Sequence, residues 1–365
     1  MNVRIDRNSK TAAYLQLYGQ IKEDIISGVF KYNRKLPSKR TVAEEAEVSI
    51  VTVEHAYALL CDEGYVESRE RSGYFVIFRA SDGFAATRHH TELSRAPQLH
   101  ESGERYEFPI STLTKTMRRV MSEREDMLLE KSPNAGLLEL REAISSYLAG
   151  NRGIRADAER IVIGSGAEYL YTLIIELFGK DRIFAIESPS YKKIELVYKA
   201  SGVRYDSLPL ASDGIESTAL FASEADVLHT TPYRSFPSGV TATASKRHEY
   251  IRWASRGGRY IVEDDFESEF SVSSKPEETL FALSQSDNVI YMNTFSKTIS
   301  PSLRVGYMVL PERLAADFTE KLGFYSCTVP TFEQLVIAEL ISSGEFERHV
   351  NRVRRKKRRT AAETK

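Results

Sequence analysis

Apolar residues recur at helical spacing through the first sixty positions of the chain. Those at positions 14, 17, 21 and 25 predict an amphipathic helix, which Gly28 would end in a left-handed conformation. Those at positions 50, 53, 56, 57 and 60 predict another helix, which ends near Gly64. Ser38 is a favourable N-cap for a shorter helix between them. The pattern therefore predicts three helices, the last two joined by a short turn at 48–49.

A hairpin is predicted directly after these helices. Residues 65–76 have the sequence YVESRERSGYFV, in which two short apolar segments flank a charged turn that contains a glycine. A helix-turn-helix followed by a hairpin is the arrangement of a winged helix, which places the second helix of the motif in the major groove of DNA. The exposed face of that helix offers Ser49, Thr52, Glu54 and His55.

Basic residues lie where such a module would contact DNA. Lys39 and Arg40 at a helix start suit phosphate contacts, and Arg69 and Arg71 on the hairpin suit phosphates or the minor groove. The stretch 31–40 has five basic residues and no acidic one. Residues 1–79 nevertheless hold 12 Lys/Arg against 11 Asp/Glu, a net charge of +1. A small helical protein-interaction module with solvated charges is therefore the alternative.

Beyond about residue 105, short apolar runs alternate with helical patterns. The runs at 161–163, 183–186, 260–262 and 289–291 are rich in β-branched residues and bounded by turn residues or charges. Such runs are typical of strands buried on both faces, and their alternation with helices predicts an α/β domain with a mainly parallel sheet. The stretch 80–104 has no apolar periodicity and contains Gly, Ser, Pro and three His, which is typical of a linker.

One lysine in this second region has a chemically suggestive setting. Lys297 follows the predicted strand at 289–292, lies in the sequence NTFSKTISPSLRVGY, and precedes Arg304 by seven positions. A lysine placed in this way can form a Schiff base with an aldehyde cofactor, while Ser, Thr and Arg side chains hold a phosphate. A surface lysine in a Ser/Thr-rich loop is the alternative.

Three further segments contain candidate binding groups. The sequence GSGAE at 164–168 follows a strand and opens a helix, where backbone N–H groups can approach a phosphate. The acidic run 263–265 ends a buried strand, and buried carboxylates need a partner such as a pyridinium N–H. Tyr191 follows another strand, where its ring could stack on a planar cofactor or simply pack in the core.

Composition narrows the class of protein. The chain has 365 residues, 42% of them hydrophobic and 28% charged, with a net charge of −1, which fits a globular chain of two or three domains. Its two cysteines, Cys61 and Cys327, exclude a disulfide scaffold and a zinc ribbon, and no metal site is expected. The sequence has neither a run of 18 apolar residues nor a signal-peptide pattern, so we expect a cytoplasmic protein without a membrane anchor.

The N-terminal motifs resemble the GntR-type winged helix of bacterial regulators. The resemblance rests on YLQLYGQIK at 14–22, LPSKR at 36–40, TVEHAYALLCDEGYV at 52–66 and the wing RSGY at 71–74, which includes Gly73. It implies binding to double-stranded operator DNA.

The later motifs, in their order along the chain, resemble the fold-type-I pyridoxal-phosphate (PLP) enzymes of the aspartate-aminotransferase-like group. The closest resemblance is to the MocR regulators, which fuse such a domain to a GntR-type winged helix. This implies a winged helix over 1–79, a linker over 80–104, an aminotransferase-like domain over 105–350, and a basic tail over 351–365. It also implies a homodimer, and it places a substrate-side loop at 231–240.

The resemblance assigns cofactor roles residue by residue. The assigned residues are Lys297 for the internal aldimine, Asp264 for the pyridine nitrogen, Tyr191 for ring stacking, and Gly166, Ala167, Glu168 (through its backbone), Thr294, Ser296 and Arg304 for the phosphate. Asp265 is the alternative partner of the nitrogen.

The sequence departs from the family pattern at three places. Phe266 stands where the family usually has a tyrosine that contacts the cofactor's 3-hydroxyl, and the segment 132–141 lacks a usual Gly-Tyr pair. The third departure is at the end of the chain, where the family continues into a small domain with a carboxylate-binding arginine. Seven of the nine residues 351–359 are basic. We expect a truncated connecting helix that packs poorly beyond about residue 350, and a nucleic-acid-contacting tail is the alternative.

Three hypotheses about function follow. The first is a transcriptional regulator that senses PLP, or an amino-acid-like compound reacting with it, through Lys297. The second is a PLP-dependent aminotransferase with an accessory DNA-binding domain, which the departures disfavour. The third is a poorly folded fragment that binds no cofactor.

Overall fold

The computed structural model describes residues 5–6, 9, 11–70, 72–79, 108–271 and 278–363. Contacts divide the chain into two compact units, Met1–His100 and Glu101–Lys365, with a boundary that falls inside the predicted linker. The linker itself and Arg71, a predicted DNA contact, lie outside the described residues.

The N-terminal unit is a winged helix-turn-helix, as predicted. Its elements are α1 (Ala13–Ile26), α2 (Lys39–Glu45), α3 (Ile50–Asp62), and the antiparallel strands β1 (Val66–Arg69) and β2 (Gly73–Val76). Leu17 and Ile21 of α1 pack against Val53 and Leu60 of α3 to form the core. Ile50 was predicted to belong to this buried stripe, but it opens α3 and is 46% exposed.

The second unit alternates helices and strands. The helices are α4 (Ile110–Glu123), α5 (Glu125–Leu128), α6 (Leu138–Asn151), α7 (Ala167–Phe178), α8 (Lys192–Ser201), α9 (Ser217–Ala222), α10 (Ala244–Ser255), α11 (Leu280–Leu283), α12 (Glu312–Leu322), α13 (Thr331–Ser342) and α14 (Glu345–Glu363). The strands are β3 (Ile161–Gly164), β4 (Ile183–Ser188), β5 (Arg204–Ala211), β6 (Gly214–Ile215), β7 (Val227–Thr230), β8 (Tyr260–Asp264), β9 (Val289–Thr294) and β10 (Gly306–Val309).

These strands form one sheet in the order β3-β10-β9-β8-β7-β4-β5-β6. The central strands β9, β8, β7, β4 and β5 are parallel, whereas β10 is antiparallel to both of its neighbours and β6 is antiparallel to β5. The prediction of a mainly parallel sheet is therefore confirmed. The four apolar runs seen in the sequence fall in β3, β4, β8 and β9.

Helices cover both faces of the sheet, which explains the continuous apolar runs. Because consecutive side chains on a strand point to opposite faces, Ile161 and Ile163 of β3 pack in a cluster with α6 and α13. Val162 between them packs in another cluster with α7, α8 and α12. Full burial of one such side chain contributes about 1.5–3 kcal/mol. The two layers hold the carboxyl ends of the parallel strands at one edge.

The basic C-terminal helix is packed further than expected. Val350 and Val353 of α14 are buried, and Arg354 Nε donates to the carbonyl oxygen of Glu269 at 2.5 Å. The prediction of poor packing beyond about residue 350 is therefore wrong for the segment up to Arg354. The helix keeps apolar residues at helical spacing as far as Val353, and these pack against the domain. Residues 355–360 are exposed.

Candidate functional site

In the N-terminal unit, two serines fix the starts of the helices that would approach DNA. Ser38 Oγ caps α2 by accepting from the Thr41 N–H at 3.1 Å, and Ser49 Oγ caps α3 by accepting from the Thr52 N–H at the same distance. The Ser49 and Thr52 hydroxyls lie 2.8 Å apart. Both residues proposed for DNA contact thus also stabilise the start of α3.

The candidate DNA-contact residues of α2 and α3 differ in whether protein groups already contact them. Lys39 Nζ lies 2.6 Å from Glu54 Oε1, so this cation has an acidic partner on α3. Arg40 is exposed in the first turn of α2. His55 is also exposed, and its ring meets Tyr14 edge-on with centroids 5.8 Å apart. Among the described cations of α2, Arg40 is therefore the one whose substitution should disturb the fewer protein contacts.

On the wing, Arg69 is held by the protein itself. Its Nε donates to Glu67 at 2.6 Å, its Nη2 donates to Asn33 at 3.0 Å, and its guanidinium lies over the Phe75 ring. Gly73 opens β2, where a Cβ would lie 3.0 Å from Lys35 Cε. These contacts fix the geometry of the wing without assigning it a DNA contact.

The candidate cofactor residues of the second unit lie at the carboxyl edge of the sheet. Pairing places Asp264 of β8 beside Met292 of β9, and Gly306 of β10 pairs with both Thr294 and Gly164. Lys297 follows β9 by three residues. Parallel strands end at the same edge of a sheet, which is why segments distant in the sequence meet here.

Asp264 lies at the centre of this edge, and only 3% of its surface is exposed. Its Oδ2 accepts from Tyr171 Oη at 2.5 Å and is 3.7 Å from His229 Nε2. Its Oδ1 is buried and has no hydrogen-bond partner among the residues that the structure describes. A buried carboxylate oxygen that lacks a donor fits the N–H of a pyridinium ring, so the residues present fit PLP.

Asp265, the alternative partner, is held by cationic and phenolic groups. Its Oδ2 lies 2.5 Å from Arg152 Nη2 and accepts from Tyr291 Oη at 2.8 Å. Arg152 is itself buried. Asp265 Oδ1, like Asp264 Oδ1, is buried without a donor among the described residues. Because Asp265 already has a buried arginine, the geometry favours Asp264 for the ring nitrogen.

Lys297 lies near a carboxylate that sequence reasoning missed. Its Nζ is 3.9 Å from Glu267 Oε1, and Glu267 Oε2 is 3.5 Å from Arg234 Nη1 in the predicted substrate-side loop. The Lys297 side chain is 33% exposed, which leaves it accessible to a small molecule. The available signal was the acidic position three residues after Asp264.

The Arg304 guanidinium lies against the start of α7. Gly166 caps α7 with φ of 93°, and a Cβ there would lie 2.7 Å from Arg304 Nη2. Only glycine allows the guanidinium this close to the first turn of the helix. Ala167 and Glu168 begin the helix, so their N–H groups lie in that turn.

The Glu168 side chain is a second feature that the sequence did not reveal. Its carboxylate pairs with Arg304 Nη2 at 2.7 Å and with Lys193 Nζ at 2.9 Å. Burial opposes its ionisation, but the hydrogen bonds from Lys193 and Arg304 outweigh burial and lower the pKa of Glu168 to about 2.

For the other predicted cofactor contacts, the structure gives the position in the fold and the degree of burial. Tyr191 is half-buried at the start of α8, and its ring centroid lies 6.2 Å from that of Phe236. Thr294 is buried at the end of β9, and Ser296 is half-buried in the loop that leads to Lys297.

A buried glutamate joins the strand ends to the substrate-side loop. Glu187, at the end of β4, accepts from the hydroxyls of Thr230, Thr231 and Ser235 at 2.5–2.6 Å and from the Thr231 N–H at 3.0 Å. Burial raises the pKa of Glu187, and these four donors oppose the rise. The arrangement fixes where the loop 231–240 starts.

A cavity of about 720 Å³ lies away from this edge, between α4, α6, α13 and α14. Its walls include Glu139, Glu142, Tyr147 and Phe346 but none of the candidate cofactor residues. The volume of a cavity therefore does not identify the candidate cofactor site.

Across the described part of the chain, no helix has the length and apolar content needed to cross a membrane.

A winged helix joined to a mainly parallel α/β unit with a lysine beyond β9 defines a helix-turn-helix regulator with an aminotransferase-like domain. Family models agree, with bacterial regulatory proteins of the gntR family matching residues 13–76 and aminotransferase class I and II matching residues 102–364. The chain belongs to the MocR-type family of GntR regulators.

Two relatives illustrate this membership. The uncharacterized HTH-type transcriptional regulator YdeL of Bacillus subtilis is 32% identical over 97% of this chain and 79% of its own length. The probable rhizopine catabolism regulatory protein MocR of Rhizobium meliloti is 28% identical over 96% of this chain and 76% of its own.

A solved enzyme shares the fold of the second unit. The kynurenine aminotransferase of Pyrococcus horikoshii, crystallised in complex with PMP, is 27% identical with a TM-score of 0.61. The match covers 68% of this chain, and the chain spans 64% of that enzyme's length.

Proposed function

We propose that this protein is a DNA-binding transcriptional regulator that holds PLP on Lys297 and responds to PLP or to an amino compound that reacts with it. The proposal rests on the positions of Lys297 and Asp264, which follow or end neighbouring strands at the same edge of the sheet. Lys297 follows β9 with its side chain partly exposed, and the neighbouring strand β8 ends in Asp264, one oxygen of which is buried without a donor among the described residues. Membership of the regulator family supports the DNA-binding half.

The chain's own residues would divide the binding task. Asp264 Oδ1 would accept the ring N–H, and Tyr171 Oη would orient the same carboxylate by donating to Oδ2. Tyr191 would cover one face of the ring. The groups proposed for the phosphate are the N–H groups of Gly166, Ala167 and Glu168 and the side chains of Thr294, Ser296 and Arg304. Bound PLP supplies an aldehyde that condenses with an amine.

Glu267 would adjust the charge at the amine. At 3.9 Å from Lys297 Nζ it favours the protonated amine, and Arg234 on its other side weakens that effect. An effector amine that takes the place of the lysine would free Lys297 to pair fully with Glu267. The charge arrangement around Glu267 would then differ between the two ligand states, and such a difference can shift a conformational equilibrium.

The DNA-binding half would use α3 in the major groove. We place Ser49, Thr52 and His55 at the base edges, Lys39 and Arg40 at phosphates, and the wing with Arg69, Arg71 and Gly73 beside the duplex. As a homodimer, the protein would present two such modules to paired half-sites of double-stranded operator DNA.

Spectroscopy of the purified full chain tests the cofactor half. Addition of PLP to the wild type should produce a visible absorption band, and Lys297→Ala should lack it. Lys199→Ala, which removes an exposed lysine of α8, should keep it. Borohydride reduction followed by peptide mass spectrometry should locate the cofactor on Lys297. Absence of the band in the wild type would refute this half, and sustained turnover of an amino acid with a keto acid would favour an aminotransferase instead.

Anisotropy with DNA from upstream of the gene tests the other half. Arg40→Ala should weaken binding and lower the slope of log K against log salt by about one. Arg182→Ala, an exposed arginine of the second unit, should leave both unchanged. Unchanged binding by Arg40→Ala at every salt concentration would contradict the docking of α2 and α3.

A further inference from the structure

The carboxylate of Glu168 joins three elements at the start of α7. Its Oε2 is 2.7 Å from Arg304 Nη2, in the segment before β10, and its Oε1 is 2.9 Å from Lys193 Nζ on α8. Arg304 and Lys193 are far apart in the sequence and share this one anion. The carboxylate thus occupies both nearby cations at once.

This ion-paired cluster lies where a phosphate would bind. The Arg304 guanidinium lies so close to Gly166 that a Cβ there would be 2.7 Å from Nη2, which places it against the first turn of α7. The amino end of a helix attracts anions. The side chains of Arg304, Lys193 and Glu168 are 50%, 39% and 27% exposed, so an anion can reach them from solvent.

Glu168 keeps its negative charge throughout the physiological pH range. Although burial opposes ionisation, the hydrogen bonds from Lys193 and Arg304 hold the pKa of Glu168 at about 2. A phosphate that approaches Arg304 therefore meets a fixed anion, and like charges in close contact repel each other. The carboxylate must leave the cations, or the phosphate must bind without their full charge.

We propose that Glu168 is an affinity-setting residue, whose carboxylate occupies Arg304 and Lys193 in the ligand-free protein and competes with the phosphate of the ligand for them. The inference rests on the proposed PLP site and adds a residue that opposes binding. A binding-competent form that is only a fraction f of the total weakens the apparent affinity by the factor 1/f. Competition of this kind would keep the site responsive to changes in ligand concentration.

The test compares Glu168→Gln with a matched control, Glu195→Gln, in the full chain. Glu195 also lies between two cations, Lys192 at 2.6 Å and Lys199 at 2.5 Å, but on α8 itself. Glutamine keeps the size of the side chain and removes the charge. Because the cluster is partly exposed, we expect the lower end of the range for charged hydrogen bonds, a gain of about tenfold in PLP affinity.

Three ligands separate the causes. PLP, inorganic phosphate and pyridoxal, which lacks the phosphate, are titrated by absorbance or calorimetry. Glu168→Gln should bind PLP and inorganic phosphate more tightly than the wild type and should bind pyridoxal as the wild type does, while Glu195→Gln should match the wild type throughout. Glu168→Ala provides the same comparison should the glutamine variant fold poorly.

Two results would overturn the inference. Equal or weaker binding of PLP and phosphate by Glu168→Gln would mean that the carboxylate positions Arg304 rather than competing for it, and an equal gain for pyridoxal would mean that the phosphate is not involved. The phosphate titration needs no reaction at Lys297. Tighter phosphate binding without a visible PLP band would therefore uphold the role of Glu168 while refuting the proposed function, and a band with unchanged affinities would do the reverse.

Discussion

Removal of the Tyr171 hydroxyl tests how strongly its hydrogen bond to Asp264 stabilises the protein. Tyr171 is fully buried in α7, and its Oη donates to Asp264 Oδ2 at 2.5 Å. The other oxygen of Asp264 has no partner within the described part of the chain. In Tyr171→Phe the ring keeps its packing, and the carboxylate loses its hydroxyl donor.

The structure indicates how large the effect should be. A hydrogen bond to a charged group contributes about 1.5–3 kcal/mol, and the full burial of this one places it in the upper half of that range. We therefore expect the free energy of unfolding to fall by about 2–3 kcal/mol. Tyr198→Phe is the matched control, because Tyr198 is equally buried on α8 but pairs with His229 Nδ1 at 2.7 Å. With an imidazole instead of a carboxylate as partner, the loss should be about 1 kcal/mol.

Urea unfolding at pH 8 without PLP measures the difference. The chain has a single tryptophan, Trp253, which is fully buried in α10, so its fluorescence reports the second unit alone. The midpoint should shift without a change in slope. A loss below about 0.5 kcal/mol, or equal losses for the two variants, would show that the bond to Asp264 stabilises the protein no more than the bond to His229, and would refute the reasoning.

Two further substitutions test the surroundings of the site. Burial, together with the neighbouring Asp265, raises the pKa of Glu269 to about 7 from an ordinary value of 4.5. The folded chain therefore keeps a proton that the unfolded chain releases between about pH 4.5 and 7, so the free energy of unfolding should fall as the pH rises through this window. Glu269→Gln should flatten that fall in urea titrations from pH 4.5 to 8, and an unchanged profile would argue against the shift. Gly136→Ala places a Cβ 2.4 Å from Ile163 Cγ1 at φ of 100°. It should lower the free energy of unfolding by about 2–5 kcal/mol, from left-handed strain plus overpacking, and a loss under 1 kcal/mol would contradict this.

The elements were predictable because their signals are local. Capping at Ser38, the stripes of α1 and α3, and the apolar runs of β3, β4, β8 and β9 each depend on residues within about one turn or one strand. Strand order is not local in this sense. The antiparallel insertion of β10 between β3 and β9 brings Gly164, Thr294 and Gly306 into one row, and periodicity carries no information about such pairing.

The contacts between side chains at the candidate cofactor site also depend on the order of the strands in the sheet. Glu168 meets Lys193 and Arg304 across 25 and 136 positions, so its side chain could not be assigned from the sequence, although its backbone could. Glu267 was missed for a related reason. Its importance depends on Lys297, which arrives from the next strand.

The acidic segment after β8 shows why a particular carboxylate suits the ring nitrogen. Four carboxylates at 263–269 are almost fully buried, which is costly unless each has a partner. Glu263 accepts two N–H groups at the start of α11, and burial raises its pKa to about 8. Asp265 has Arg152, and Glu269 titrates near neutral pH with an amide as its donor. Asp264, Asp265 and Glu269 each have a buried oxygen without a donor among the described residues. Asp265 is paired with an arginine and Glu269 with an amide, whereas the other oxygen of Asp264 accepts from a phenol. A cationic ring N–H gains most from a carboxylate that has no cation of its own, which favours Asp264.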